Sequence, residues 1–589
     1  MNEHRPPPKI QRLLHRVTAP ARYVGNELNS VVKDFHNTAL KLALAFPDLY
    51  EVGMSNLGLR ILYDIVNSRE EMLAERVFAP AADMEKLLRE EKIPLFSLEN
   101  YMPLRSFDII GFSLQYELTY TNVLNMLDLA DIPLRSADRD EREPLIIGGG
   151  VCAFNPEPVA PFFDLFVVGD GEEVLPELLE VYRSGRDGGL TRKKMLLELA
   201  QLEGVYVPSF YRPCYEAGNF TGIEPAHSQV PSVIEKRLLH DLNEAPHPTA
   251  PIVPFREIVH DRAIVEISRG CMRGCRFCQA GTTYRPRRTR SVEKIRELAL
   301  SLIENTGYDE LSLASLSSSD YPHIEQLVKE LGEALPPRVN LSLPSLRMDS
   351  FSVRLAAAVQ GKTRGSLTFA PEAGNFRLRR AINKNISDES LFQALEHAFR
   401  AGWRTFKLYY MIGLPTETDD DVLAIARQVE EMFALYRRLG CRGRLRLTVS
   451  TSTFTPKAHT PFQWEPQITP AETHRRQQLL ARSLKQGRSV QYKWHDRDMS
   501  FMEAVFSRGD RRLADVLERA WAGGCKFDHW SDHFNMDRWL KAFDEAGIAP
   551  ADYALRRYEL EDPLPWEHLR TGLKKEFLIK EYRKSLNGI

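Results

Sequence analysis

Three cysteines, Cys271, Cys275 and Cys278, crowd into the stretch ISRGCMRGCRFCQAG, while the other four (Cys152, Cys214, Cys441 and Cys525) are scattered. Seven thiols in a chain of 589 residues do not make a disulfide framework. A tight trio points instead to metal binding. Structural zinc normally takes four protein ligands, and no fourth Cys or His lies near the trio in sequence. Three thiolates on an iron–sulfur cube leave one iron without a protein ligand, and an open iron can hold a small molecule. The competing readings are a zinc knot with a distant fourth ligand, or three unrelated thiols. The spacing, and the strand that leads into the loop, favour the open cluster.

That strand, AIVEIS (263–268), is the first of six apolar runs. The others are ELSLAS (310–315), NLSLPS (340–345), GSLTFA (365–370), TFKLYYM (405–411) and LRLTVS (445–450). Helical stretches such as VEKIRELALSLIEN, SVRLAAAVQ and DVLAIARQVEEMFALYRRLG lie between them, and ETHRRQQLLARSLK closes the series. Six β/α units predict a barrel or most of one over 256–487. The trio falls directly after the first strand, where such barrels build their active sites. Upstream, LALAF (42–46), FDIIGFSL (107–114), PLIIGGG (144–150) and DLFVVGDGEE (164–173) alternate with helices and predict a doubly wound, Rossmann-like α/β domain over 36–185. It lacks a GxGxxG fingerprint, which argues against dehydrogenase-type nucleotide binding. Residues 1–35 read as an arm, 186–255 as a connector, and 488–589 as a small helical C-terminal domain without strands, carrying Trp521, Trp530, Trp539 and Trp566. These tryptophans read as core or as a cover for the barrel mouth. More than one domain is required, because single cores stop growing at about 250–300 residues.

The three-cysteine loop, with Phe277 before its last cysteine, resembles the radical S-adenosylmethionine (SAM) superfamily. The resemblance implies that Cys271, Cys275 and Cys278 hold a 4Fe–4S cluster whose fourth iron chelates SAM. One electron then cleaves SAM, and the resulting radical abstracts a hydrogen from the substrate. It also implies roles at the later strand ends. Ser317 and Ser319, in SLSSSDY, match the position that faces the SAM amine, though the usual glycine–glutamate form is missing; the same residues also read as a turn with Asp320 or Ser319 as helix cap. Glu372, in FAPEAGNFRLRRAINK, matches a ribose-binding glutamate. Arg379 or Arg380 matches a partner for the SAM carboxylate, or else a structural ion pair. Ile412 and Gly413, in YYMIGLPTET, match the loop that packs on adenine. Arg285, Arg287, Arg288 and Arg290 read as a solvated basic face.

The first domain resembles the cobalamin-binding domain that precedes the barrel in one large radical SAM class. FPDLYEVGMSNLG, IIGGGVCAFNPEPV and DLFVVGDGEEVLPEL carry the likeness, and loops 47–57, 113–118 and 148–155 are the candidate ligand loops. No histidine occurs between His36 and His227, so bound cobalamin takes no histidine from this domain. Within such an enzyme the expected outcomes are methyl transfer, a rearrangement or an oxidation. A cluster-bearing RNA- or protein-binding factor is the non-catalytic alternative. The dispersal of the other four cysteines argues against a methylthiotransferase, and Cys152 is the one of them placed in a ligand loop. A flavodoxin or ferredoxin is the implied electron donor, and the substrate class (small molecule, peptide or RNA) stays open. A net charge of -2 gives no general attraction to nucleic acid. The chain has neither an apolar run of about 20 residues nor a secretory start, so a cytoplasmic enzyme is expected.

Overall fold

A computed structural model describes residues 5–344, 366–485 and 487–588. The N-terminal sheet has six strands: β1 (Leu40–Phe46), β2 (Met72–Phe78), β3 (Ile109–Ser113), β4 (Leu145–Gly149), β5 (Leu165–Val167) and β6 (Val205–Tyr206). Their order is β2-β1-β3-β4-β5-β6, parallel except for β6. Every residue of β2 is buried and β1 is nearly so. The near-continuous apolar run of β1 is what a sheet covered on both faces requires, while β2 also buries Glu75 and Arg76. The helices Leu57–Asn67 and Gly171–Asp187 pack together, as do Tyr120–Leu129 and Leu513–Ala522. Chain order reverses between β1 and β3, and an open sheet binds ligands at such a switch point.

The second series consists of β7 (Ala263–Glu266), β8 (Glu310–Ala314), β9 (Asn340–Ser342), β10 (Leu367–Glu372), β11 (Thr405–Ile412), β12 (Arg446–Thr453) and β13 (Val490–Trp494). Strands β7-β8-β9 and β10-β11-β12-β13 form two parallel runs. The expected strand ends at Ser345 and Gly365, and the helix expected at 352–360, lie outside the described residues. Helices Asp388–Arg400, Asp419–Arg438 and Pro470–Ser483 connect the last four strands in turn. Leu395, Val429 and Leu480 join Phe406, Leu408, Leu447 and Val449 in one core. Consecutive right-handed crossovers put all three helices on one side of the sheet. Thr418 and Asp421 cap the longest of them reciprocally, a capping box written as TETD in the sequence.

Two expectations need correction. Strand β13 lies beyond the barrel boundary drawn at 487, in a tail read as strandless. It was hidden because VQYKW alternates for only five residues and sits on a sheet edge. The tail is also not a domain with its own core. Met499 to Ala554 join the N-terminal core, while Leu564, Trp566, Leu578 and Tyr582 pack with Leu378, Met411 and Trp464 under the barrel loops. Trp539 and Trp566 are buried, whereas Trp530 is exposed and donates its indole N–H to Asp48 at 3.3 Å. The N-terminal arm is folded down as well: Ile10, Leu13 and Tyr23 are buried, and Glu27 pairs with Arg76 at 2.7 Å.

Candidate functional site

The cysteine loop leaves β7 through backbone that only glycine tolerates. Gly270 has φ +84°, and a Cβ there would lie 2.4 Å from the Tyr284 carbonyl oxygen. Gly274 repeats the left-handed turn with φ +71°. The loop is then anchored from below. The Arg276 amide donates to the Ile382 carbonyl at 3.0 Å. Its buried guanidinium donates to the Ala381 carbonyl at 2.8 Å and to Glu581 at 3.0 Å. Asn383 donates to the Gly274 carbonyl at 2.8 Å, and Arg273 pairs with Asp320 at 2.7 Å. The last helix of the chain (Lys575–Leu586) thus holds the cysteine loop.

The three thiols are half-buried and form no disulfide. Burial pushes the Cys278 thiol up to about 11, and the neighbouring sulfurs of Cys275 and Cys271 add to this. The Gly281 amide donates to its sulfur at 3.3 Å and opposes the shift. A thiolate there needs a cationic partner, as a metal ligand does. Among the described residues, no three His, Cys, Asp or Glu side chains close on a point that a single metal ion could fill. Three thiols in one short loop, with no fourth Cys or His beside them in sequence, are a donor set that a cluster held at three corners can take.

The other expected contacts divide. Phe277 packs on the cluster of Leu378, Met411 and Trp464 beneath the loop. Glu372, after a bulge in β10, has φ +67° and pairs with Lys384 at 2.9 Å; it is close enough to raise the Cys278 thiol. A non-glycine residue held left-handed at a strand end is a mark of functional sites. Ser317 is buried and donates to Asp320 at 2.7 Å, and Ser319 stands in the same short turn. Neither Asp320 nor Ser319 caps the helix that follows, whose cap position is His323. Gly413 has φ +83°, Ile468 closes the space where its side chain would be, and its amide donates to Glu417 at 2.5 Å. Burial pushes the Glu417 carboxyl up to about 7. Glu417 was not singled out in the sequence beyond lying in GLPTET. Ile412 is wholly buried before it.

Three readings fall. Arg379 cannot meet a SAM carboxylate: it is fully buried, donates to the Ile386 and Ala373 carbonyls at 2.8 and 3.1 Å, and pairs with Asp388. Of the arginine pair only Arg380 is exposed. The basic run is not a solvated face: Arg288 and Arg290 are buried, with Arg288 on Asp170 at 2.5 Å and Arg290 on the Glu266 carbonyl at 3.1 Å. Cys152 is buried in the N-terminal core, where it packs and is not a ligand-loop thiol.

A cavity of about 440 Å³ opens where the strand ends of both domains meet. Its N-terminal wall includes Asn56, Ser113, Gln115, Gly148, Gly149, Gly150 and Gly171. All three expected loops thus contribute at least one residue. Its far wall includes Ser268, Arg269 and Gly270, the run directly before Cys271, and Ser315 and Leu316 after β8. At Gly149 an added Cβ would meet nothing closer than a carbonyl oxygen at 3.9 Å, so its missing side chain enlarges the cavity and is not forced by packing. No histidine lines it. Sequence reading missed the loop 169–172 and Arg269. That arginine clamps Asp170 at 3.0 Å and Glu172 of the first domain, and Glu266 at 2.9 Å of the barrel.

Two family models match stretches of this chain. The family model for radical SAM proteins, N-terminal, matches residues 58–208, and that for the radical SAM superfamily matches residues 265–429. An uncharacterized protein of Methanocaldococcus jannaschii is 25% identical over 509 residues, 86% of this chain and 97% of its own length. A second protein of that archaeon, provisionally named a methylthiotransferase, is 24% identical over 196 residues, 31% of this chain and 42% of its own. The radical S-adenosylmethionine methyltransferase TsrM from Kitasatospora setae, solved with cobalamin and a 4Fe–4S cluster, aligns with a TM-score of 0.43 at 16% identity, covering 70% of this chain and 72% of that one. The chain belongs to the radical SAM superfamily, with an N-terminal region of the type found in radical SAM proteins ahead of the barrel.

Proposed function

We propose that this protein is a cobalamin-dependent radical SAM enzyme that transfers a methyl group to an unactivated carbon. Cys271, Cys275 and Cys278 would hold a 4Fe–4S cluster. Glu372, Ser317, Ser319, Ile412 and Gly413 would border the SAM it chelates, and Phe277 would support the loop from below. When bound, the cluster supplies the electron that opens SAM, and cobalamin carries the methyl group. The chain's own part is to fix the cysteine loop through Arg276 and Asn383, and to keep the reacting space between two domains. The single observation that carries this reading is the continuity of the cavity. One space runs from the glycine floor at 148–150 to Gly270, next to the first cysteine. A flat macrocycle on that floor would lie beside the cluster loop without any histidine beneath it.

The methylthiotransferase alternative needs a second cluster. The remaining cysteines, Cys152, Cys214, Cys441 and Cys525, are dispersed along the chain and two of them are buried, which does not favour one. A rearrangement or oxidation is separated from methyl transfer by the product formed from SAM. A flavodoxin or ferredoxin fits as electron donor and the cytoplasm as the compartment; among the described residues no helix is long and apolar enough to cross a membrane. The test is anaerobic purification followed by dithionite and SAM. Near-stoichiometric cobalamin, with S-adenosylhomocysteine formed, is expected. Protein that carries iron but excludes cobalamin at every reconstitution ratio would sink the methyl-transfer reading.

A further inference from the structure

The inner face of the barrel is unlike a packed barrel interior, which bulky branched residues normally fill. On β11 the helix side carries Phe406, Leu408 and Tyr410, all buried in the core, while the alternate residues Lys407 and Tyr409 are exposed. On β12 and β13 the same alternation turns Arg446, Thr448, Ser450, Gln491 and Lys493 inward. The register aligns them in rows. Thr368, Lys407, Thr448 and Gln491 lie side by side, and one step further toward the mouth so do Tyr409, Ser450 and Lys493. All the connecting helices lie on the other side, so this polar surface lines the lumen.

Its charges do not balance. The inward carboxylates lie on the other strands and each has a cationic partner: Glu266 shares Arg269 with Asp170 and Glu172, Glu310 pairs with Arg262, and Glu372 with Lys384. The inward cations Lys407, Lys493 and Arg446 have no acidic partner among the described residues, which leaves three positive charges on a face otherwise made of hydroxyls and an amide. Strand spacing places the Lys407 and Lys493 backbones about 12 Å apart. Two long side chains can close that gap on one anionic group or grip two.

We propose that the lumen is the substrate subsite and that it selects a small molecule bearing phosphate or carboxylate, gripped by Lys407 and Lys493 and oriented by the hydroxyls of Tyr409, Thr448 and Ser450. Lysine suits this task as a mobile point charge with three donors. The inference rests on the proposed function for what is done to the substrate, but not for what the lumen binds. The carbon to be modified would then point up the barrel, toward the cluster loop and the inter-domain cavity.

The binding arm titrates the reconstituted full chain with inorganic pyrophosphate by calorimetry. Saturable binding is expected, weakened about tenfold or more in Lys407→Ala/Lys493→Ala and unchanged in Lys485→Ala, an exposed lysine outside the lumen. Absence of binding, or equal binding in all three proteins, overturns the proposal. The second arm splits a small-molecule extract on an anion exchanger and follows extract-dependent turnover of SAM. Stimulation by the retained fraction alone is expected, lost in the double variant and kept in Lys485→Ala. Stimulation by the flow-through fraction overturns the anionic class. If SAM is not cleaved at all, the enzyme reading fails while the pyrophosphate arm still decides the lumen.

Discussion

The two parallel sheets of this chain solve the same backbone problem in opposite ways. The N-terminal sheet is buried on both faces, so neighbouring residues such as Ile109 and Ile110 are both wholly buried. Only its strand ends are free to meet a ligand. The barrel sheet is buried on one face alone: Leu408 is wholly buried, while Tyr409 beside it is 43% exposed. It can offer a ligand its whole inner face as well as its strand ends. One sheet is therefore suited to hold a cofactor at its rim, and the other to enclose a substrate.

The sharpest break between the regions is expected at the cysteines. Replacing Cys271, Cys275 and Cys278 together with alanine should abolish iron loading and SAM cleavage. The half-buried loop is held by Arg276 and Asn383, so the fold should survive. Iron content and circular dichroism of the same preparation check both halves. Retained turnover would refute the proposal outright.

Next in size are paired substitutions across each sheet. Ile109→Ala and Ile110→Ala should each cost about 2–5 kcal/mol, since both leave cavities in packed core. Leu408→Ala should cost a similar amount, but Tyr409→Ala should stay within about 0.5 kcal/mol, as exposed positions do. Chemical denaturation measures all four. Equal losses at 408 and 409 would show that the inner face is packed after all.

The seam between the two regions should respond to acid. His459 follows β12, is buried, and meets the Phe154 carbonyl of the first domain at 2.8 Å through Nε2. Burial holds its pKa down at about 4. The unfolded chain takes up its proton near pH 6.5 and the folded chain only near 4, so stability should fall as pH drops through that window. The contribution is about 1–3 kcal/mol. His459→Gln should flatten that part of the thermal-melt profile, and an unchanged slope would assign the seam's acid sensitivity elsewhere.

The smallest effect is expected at the cavity floor. Gly149→Trp fills open space without a backbone clash, so it should lower cobalamin content about tenfold while leaving iron content and reductive SAM cleavage intact. Unchanged cobalamin in this variant would move the cofactor off the glycine floor.

The cysteine loop was legible because its three thiols are close in sequence, and spacing alone records that. The β/α alternation was legible for a similar reason: periodicity is local. Arg379 and Arg288 were misread because an arginine looks the same in sequence whether it faces a ligand or carbonyls seven residues away. Strand β13 was missed because an edge strand of five residues leaves too short a pattern.

The sequence by itself determined the three-cysteine loop, the order of the two α/β regions and the glycines that shape their loops, all set by short-range sterics and local spacing. Only the tertiary structure decided that the tail completes both cores, that one cavity joins Gly149 to Gly270, and that Lys407, Lys493 and Arg446 stand without an acidic partner among the described residues. Those facts depend on which distant segments meet, and contact between residues hundreds of positions apart leaves no periodic or local mark in a single chain.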